Sequence, residues 1–348
     1  MSWADTFIAT AASPKIGLGH FRRCSSLAIE LEKQGSPVKW LVDSTTRETV
    51  NRELSGNRDI HELRAASPEI ACSEISDLVG SDQLLIVDCY SWAATFDKIS
   101  GYRWMRFDQG VSSQPTSAAY IHCALPGVDE SRFANRTQGS PPQFLLGPQY
   151  ALLGPNYRKA RERRDKRDAG FKPLKEPSVV ISMGGGDDRG ATVYACNEVR
   201  MACPKARITI ATTSRNPSLS DILGSVSEDA LASVKIDAPD LVEVFCDCTF
   251  AVSAGGTTLN ELACLGIPAV VLPIADNQVR PAQLWESLGF VRTLPLGCRE
   301  EGRLSSELEQ IVQSDKTLME MSNAGSSAVD GLGACRTARA LLDNSSGI

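Results

Sequence analysis

The chain has 348 residues, of which 42% are hydrophobic and 22% charged. That excludes a disordered or fibrous protein and leaves room for two domains of about 150 residues each. Its 36 basic and 42 acidic residues give a net charge of −6, so it has no global basic field for nucleic acid. No apolar run approaches the roughly 18 residues that span a bilayer, and MSWADTFIATAASPK has no basic region followed by an apolar stretch. Neither a membrane span nor a signal peptide is expected. Eleven cysteines, from Cys24 to Cys335, include no CxxC pair and read as reduced thiols, which points to the cytoplasm. The three histidines, His20, His61 and His122, have no HxH or HxxxH spacing, which argues against a zinc site.

In chain order, DTFIATA (5–11) reads as a strand. A helix follows, with Phe21, Cys24, Leu27, Ala28 and Leu31 on one face and Gly35 as its stop. VKWLVD (38–43) is the next strand, followed by a polar helix to about residue 54. QLLIVDCY (83–90) is a strongly apolar strand; WMRFD (104–108), YIHCAL (120–125) and QFLLG (143–147) are shorter ones. Such strands alternating with helices predict a parallel sheet covered on both faces. Residues 157–177 break the composition: they are highly charged, and Glu162, Asp165 and Asp168 interleave with the basic residues. This reads as a solvated helix and interdomain linker. The pattern then restarts with SVVISMG (178–184), ARITIATT (206–213), SVKIDA (233–238), CTFAVSAG (248–255) and PAVVLPI (268–274), all expected as buried strands. Helices are expected at about 304–323 and 333–343. The expected domains are 1–156 and 178–325, with 326–348 a C-terminal helix packing back on the first. Two Rossmann-like units of this kind predict a ligand cleft beyond the carboxyl ends of their strands.

Three segments carry chemistry. Lys15-Ile16-Gly17-Leu18-Gly19-His20 opens the first helix, where Gly17 and Gly19 allow a tight turn and close approach to a ligand. A helix N-terminus favours a neutral His20 able to accept a proton, although a histidine there can also simply cap or pack. Ser182-Met183-Gly184-Gly185-Gly186-Asp187-Asp188 ends the first strand of the second half. The amides of Gly185 and Gly186 suit oxyanions, and the loop lacks the GK[ST] ending of a P-loop. Ser253-Ala254-Gly255-Gly256-Thr257-Thr258-Leu259-Asn260-Glu261 runs from a buried strand into a helix. Gly255 and Gly256 would offer amides to a diphosphate, with the Ser253, Thr257 and Thr258 hydroxyls beside them. Glu261 could accept hydrogen bonds from ribose hydroxyls or cap its helix. Asn277 and Gln278 follow the next strand. Asp88 and Tyr90 end a central strand of the first half and could touch a sugar or serve the structure. Asp108, His61, His122, Trp40, Trp92 and Trp104 read chiefly as structural.

These segments resemble the UDP-sugar hydrolase of the pseudaminic-acid pathway, a GT-B glycosyltransferase-like family that removes UDP from UDP-2,4-diacetamido-2,4,6-trideoxy-β-L-altropyranose. The matching stretches are KIGLGHFRRCSSLAIEL, LLIVDCY, FLLGPQYALL, SMGGGDD, AVSAGGTTLNELACLGIPAVVLPIADNQ and DGLGACR, in the family's order. The transferase that adds N-acetylglucosamine to lipid I is a more distant relative, sharing the glycine-rich loop and the ribose-binding glutamate that falls here on Glu261. The resemblance implies an α/β GT-B-like fold of two Rossmann-like domains with parallel sheets facing a central cleft. It also implies inverting attack of water at the anomeric carbon with His20 as the catalytic group, a UDP-sugar substrate, and no cofactor or metal. Family members carry an Arg and an Asp where this chain has Ala9 and Ala11, and their GPxYALLR stretch ends here in Gly154. The altered half is the sugar half. Two alternatives therefore stand beside the hydrolase: a GT-B glycosyltransferase with a UDP-sugar donor, and a nucleotide-sugar binding protein without turnover.

Overall fold

The computed structural model describes residues 5–11, 18–53, 58–64, 67–99, 101–110, 114–136, 141–167, 177–238 and 240–343. The chain divides into two compact units, one of residues 1–154 and 331–348, the other of residues 155–330. Among the described residues no helix is long and apolar enough to cross a membrane.

In the first unit, strand β1 (Thr6–Thr10) leads to helix α1 (Gly19–Lys33), β2 (Val38–Val42), α2 (Ser44–Glu53) and β3 (Asp59–Glu62). Then come α3 (Pro68–Leu78), β4 (Leu84–Asp88), α4 (Tyr90–Phe96), β5 (Arg103–Phe107), β6 (Tyr120–Cys123) and β7 (Gln143–Leu146). The seven strands form one parallel sheet in the order β3-β2-β1-β4-β5-β6-β7. Alternate residues of the central strands face opposite layers: Ile8 and Ile86 pack with Phe21, Leu27 and Leu31 of α1, while Phe7, Ala9, Leu85 and Val87 pack with Ile75 and Phe96. Both faces are thus covered, as the continuous apolar strands require.

The second unit starts with α5 (Pro155–Arg167), followed by β8 (Ser178–Ser182), α6 (Ala191–Ala202), β9 (Arg207–Thr212), α7 (Leu219–Ser225) and β10 (Ala232–Ile236). It continues with α8 (Leu241–Phe245), β11 (Phe250–Ser253), α9 (Thr258–Cys264), β12 (Ala269–Val271), α10 (Asp276–Ser287), β13 (Val291–Thr293), α11 (Arg303–Val312) and α12 (Asp315–Ala328). Its parallel sheet has the order β10-β9-β8-β11-β12-β13, the same winding as the first. Helix α13 (Gly333–Asp343) belongs to the first unit, where Ala334, Ala338 and Leu341 join the core beneath α1.

Four features differ from the sequence reading. Residues 157–167, the start of the expected linker, lie in α5 of the second unit; residues 168–176 lie outside the described residues. Arg164 explains the docking: it is buried and donates from Nε to the Leu265 carbonyl at 2.9 Å and from Nη1 to those of Cys246 and Cys248 at 2.8 and 3.0 Å. Strand β10 is an edge strand with Ile236 exposed, not a buried strand. The helix expected over 304–323 is two helices, because Ser314 caps α12 by accepting from the Thr317 amide at 3.2 Å. The short strands β3 and β13 complete the two sheet edges.

Candidate functional site

In an open parallel sheet, loops diverge where the strand order reverses, and ligands bind beyond the strand ends there. That point lies between β1 and β4 in the first unit and between β8 and β11 in the second. In register, Thr10 pairs with Asp88 and Ser182 with Ser253. Gly19 and His20, Asp88 and the second and third motifs therefore flank these switch points because of the topology alone.

In the first unit, α1 begins with no side-chain cap and no acidic residue in its first turn. A helix start of this kind presents N–H groups and a positive dipole end that suit an anion or a polar oxygen. Gly19 and His20 are its first two residues, and Gly17 lies outside the described residues. His20 Nδ1 sits 2.6 Å from Asp88 Oδ1. Arg23, one helical turn on, donates from Nε to Asp88 Oδ2 at 2.6 Å and from Nη2 to Oδ1. Cys24 Sγ adds a bond to Oδ2 at 3.3 Å, and Arg23 stacks 4.3 Å above the Phe107 ring. Asp88, read as touching a sugar or serving the structure, is 1% exposed and accepts from three side chains of α1. Burial alone would push its carboxyl up, but the Arg23 cation and His20 hold it well below the usual carboxylate range. The Cys24 thiol, buried beside that carboxylate, is pushed well above its ordinary value and stays a donor.

An ionised carboxylate only accepts hydrogen bonds, so the His20 nitrogen facing Asp88 carries the proton. The contact of Arg23 Nη2 with the same nitrogen, at 3.2 Å, then joins two donors and is no bond. The ring's other nitrogen, Nε2, is left with its lone pair. Tyr90 stands edge-on to the ring, with centroids 5.1 Å apart, is 45% exposed, and accepts at its hydroxyl from Gln109 Nε2 at 3.2 Å.

The other candidates of this unit do structural work. His122 packs against Phe107 and donates from Nε2 to the Tyr150 carbonyl at 2.9 Å; burial lowers its pKa to about 4, so it is neutral. His61 lies on the surface, 3.2 Å from Glu74 Oε1. Asp108 bridges the Arg106 and Arg136 guanidiniums at 3.1 and 2.8 Å and accepts from the Gly110 amide at 2.7 Å. Sequence reading noted Arg23 only as the last residue of GLGHxxR and gave it no role. The signal was present: an arginine three residues after a helix-start histidine shares its face.

In the second unit, Gly184 takes φ +95°, a left-handed turn that directs the chain off the end of β8. The amides of Gly185 and Gly186 make no hydrogen bond among the described residues, and the Gly185 carbonyl accepts from Thr213 Oγ1 at 3.1 Å. The helix beyond is already occupied. Asp188 is fully buried, its carboxylate accepts from the amides of Gly190 and Thr192 at 2.9 and 3.3 Å, and its carbonyl takes Ala191. The start of α6 therefore offers nothing further to a ligand. The third motif differs. Gly255, Gly256 and Thr257 leave their amides unbonded among the described residues, and α9 has no side-chain cap. Gly255 must be glycine, since a Cβ would lie 2.6 Å from the Gln278 carbonyl oxygen. Gln278 itself is used locally, accepting from the Ile274 amide at 2.9 Å, and Asn277 is exposed at the start of α10. Ser253 is fully buried, with its hydroxyl on the Ala254 carbonyl at 3.1 Å, so it does not face a ligand. Thr257, Thr258 and Glu261 are half-buried along the first turns of α9.

Comparison with known proteins places this geometry in a class. No family model matches the chain. The spore coat polysaccharide biosynthesis protein SpsG of Bacillus subtilis is 22% identical over 204 residues, 57% of either chain. A Helicobacter pylori protein described as pseudaminic acid cytidylyltransferase and UDP-2,4-diacetamido-2,4,6-trideoxy-beta-L-altropyranose hydrolase is 45% identical over 49 residues, 14% of this chain and 10% of that one. The chain spans little more than half the length of the first curated relatives it matches. Among solved structures, MurG of Acinetobacter baumannii superposes with TM-score 0.65 at 14% identity, covering 98% of this chain and 99% of that one. UDP-GlcNAc 2-epimerase of Neisseria meningitidis bound to UDP-GlcNAc gives 0.64 at 13%, covering 98% and 100%. The glycotransferase of kitacinnamycin gives 0.62 at 14%, covering 99% of both. The fold is therefore GT-B-like, two Rossmann domains each built on a parallel sheet flanked by helices.

Proposed function

We propose that this protein is a UDP-sugar enzyme that breaks the bond between the anomeric carbon and UDP. In this reading the Gly255–Thr257 amides, with those of Gly185 and Gly186, hold the diphosphate, and Glu261 serves the ribose. His20 Nε2 removes the proton of an oxygen nucleophile as it attacks the anomeric carbon from the face opposite the leaving group. The carbon–oxygen bond to UDP breaks with inversion, its electron pair departs on the diphosphate, and preorganised amides stabilise that charge. The observation that carries the reading is the His20–Asp88 bond at 2.6 Å, which fixes the ring with Nε2 as its bare nitrogen.

The nucleophile divides two versions. The structural neighbour named as a glycotransferase favours a GT-B enzyme that passes a sugar from a UDP donor to an acceptor hydroxyl. The 45% match over 49 residues favours water as the nucleophile and a diacetamido-trideoxy sugar, in nonulosonic-acid or surface-polysaccharide synthesis. Incubation with a panel of UDP-N-acetyl and UDP-diacetamido sugars separates them. UDP released without acceptor, with heavy oxygen from solvent in the sugar, gives the hydrolase; UDP released only with an acceptor gives the transferase. An altered sugar still attached to UDP gives an epimerase and overturns both. His20→Ala should lower turnover by about 10²-fold or more while calorimetry finds UDP affinity unchanged. Unchanged turnover would remove His20 from the mechanism.

A further inference from the structure

Among the described residues, one helix supplies every side-chain donor to the Asp88 carboxylate: His20, Arg23 and Cys24, at positions i, i+3 and i+4 of α1. The proton of His20 needs only Oδ1. Arg23 spans both oxygens, with Nε on Oδ2 and Nη2 on Oδ1, and its Cζ lies 4.3 Å over the Phe107 ring. Such a fork fixes the plane of a carboxylate as well as its charge. The Thr10 hydroxyl, on the Asp88 carbonyl at 3.4 Å, steadies the backbone beneath.

We propose that Arg23 is a positioning residue, a clamp that holds Asp88 in the orientation that takes the Nδ1 proton of His20 and so keeps Nε2 available as a base. This rests on the reading of His20 given above and adds a third member to its pair. The reason is electrostatic. A carboxyl as buried as Asp88 keeps its charge only with a cation against it. Without Arg23, burial favours protonated Asp88, and a protonated carboxyl can donate to Nδ1. The ring then moves its own proton to Nε2, and the base is lost although every atom of His20 is present. With Arg23 in place the three groups carry no net charge until the ring accepts a proton.

The test reads the ring directly. Protein labelled with nitrogen-15 histidine, with the His20 signals assigned by their absence from His20→Ala, should show neutral His20 protonated at Nδ1. In Arg23→Gln that signal should shift toward the Nε2-protonated form. Turnover should fall about tenfold or more at unchanged KM, as for a group acting only on the base. Arg23→Lys keeps a cation but cannot engage both oxygens, and should give an intermediate spectrum; it serves also if the glutamine variant does not fold. A wild-type spectrum in both variants overturns the clamp, whatever happens to turnover. The spectrum needs no substrate, so a protein that cleaves no UDP-sugar yet shows the shift retains the clamp and loses the proposed function.

Discussion

Asp88, the last residue of β4, and Asp188, in the loop after β8, are both buried carboxylates at the carboxyl ends of their parallel sheets, and they are satisfied in opposite ways. Asp88 collects side chains from the first turns of α1 and leaves that helix's N-terminus without a side-chain cap. Asp188 collects the backbone amides at the start of α6 and closes it. The first carboxylate spends its lone pairs on orienting an imidazole and a guanidinium; the second stands where an anionic ligand would otherwise sit. Similar local chemistry thus leaves one helix start without a side-chain cap and closes another, and only the partners reveal which.

The contrast can be broken most sharply at Asp88. Asp88→Asn keeps the shape but can donate to His20 Nδ1, which places the ring proton on the wrong nitrogen. Turnover should fall by about 10³- to 10⁴-fold, as when the carboxylate of a comparable histidine pair is amidated, with UDP affinity unchanged by calorimetry. Activity within tenfold of wild type would show that Asp88 does not govern the ring. Gly255→Ala is next in size. Its Cβ meets the start of α10 at 2.6 Å, so UDP affinity should drop about tenfold, equivalent to about 1.4 kcal/mol, while the His20 nitrogen-15 signals stay put. Full affinity in that variant would move the nucleotide away from this loop.

Asp188→Ala should have the smallest effect on function and a clear one on stability. Loss of a helix-capping carboxylate costs about 1–2 kcal/mol, measurable by urea unfolding, with turnover per folded molecule preserved. The sign of its pH dependence follows from its environment. Burial alone would raise the Asp188 carboxyl, but donors from Thr192, Asn216 and Gly190 hold it below its ordinary value. The folded protein then binds fewer protons than the unfolded chain just below the ordinary aspartate value of about 3.9. The cap's contribution is full above about pH 5 and is lost as pH falls through that window. Wild type should therefore lose more stability than Asp188→Ala on acidification; parallel curves would show that the carboxylate is not what holds α6.

Much of the fold was legible because the parallel strands are apolar throughout. Each strand expected from LLIVD, SVVIS or FAVS appears within a residue or two of its place, and the face written by Phe21, Cys24, Leu27, Ala28 and Leu31 is the buried face of α1. Edge positions were less legible: DIHE in β3 has no apolar signature to read, and β10 was read as a strand from SVKIDA but as a buried one. The glycine loops could be located from sequence, but the occupant of each helix start could not. Capping by Asp188 depends on the left-handed turn at Gly190, with φ +75°. The Asp88 cluster joins residues 68 apart in sequence, through strand pairing that no local pattern states. Arg164 shows the same limit from the other side: a charged run looks solvated until one member finds three carbonyls.

The return of α13 to the first unit has a consequence for biogenesis. Its Ala334, Ala338 and Leu341 fill the space against α1, yet they leave the ribosome after the whole of residues 155–330. The second unit is contiguous and can close as it emerges, whereas the amino-terminal one must wait with an apolar flank uncovered until α13 has emerged. The order of maturation is therefore the reverse of the usual amino-to-carboxyl sequence, and the half that carries His20 is the last to become competent.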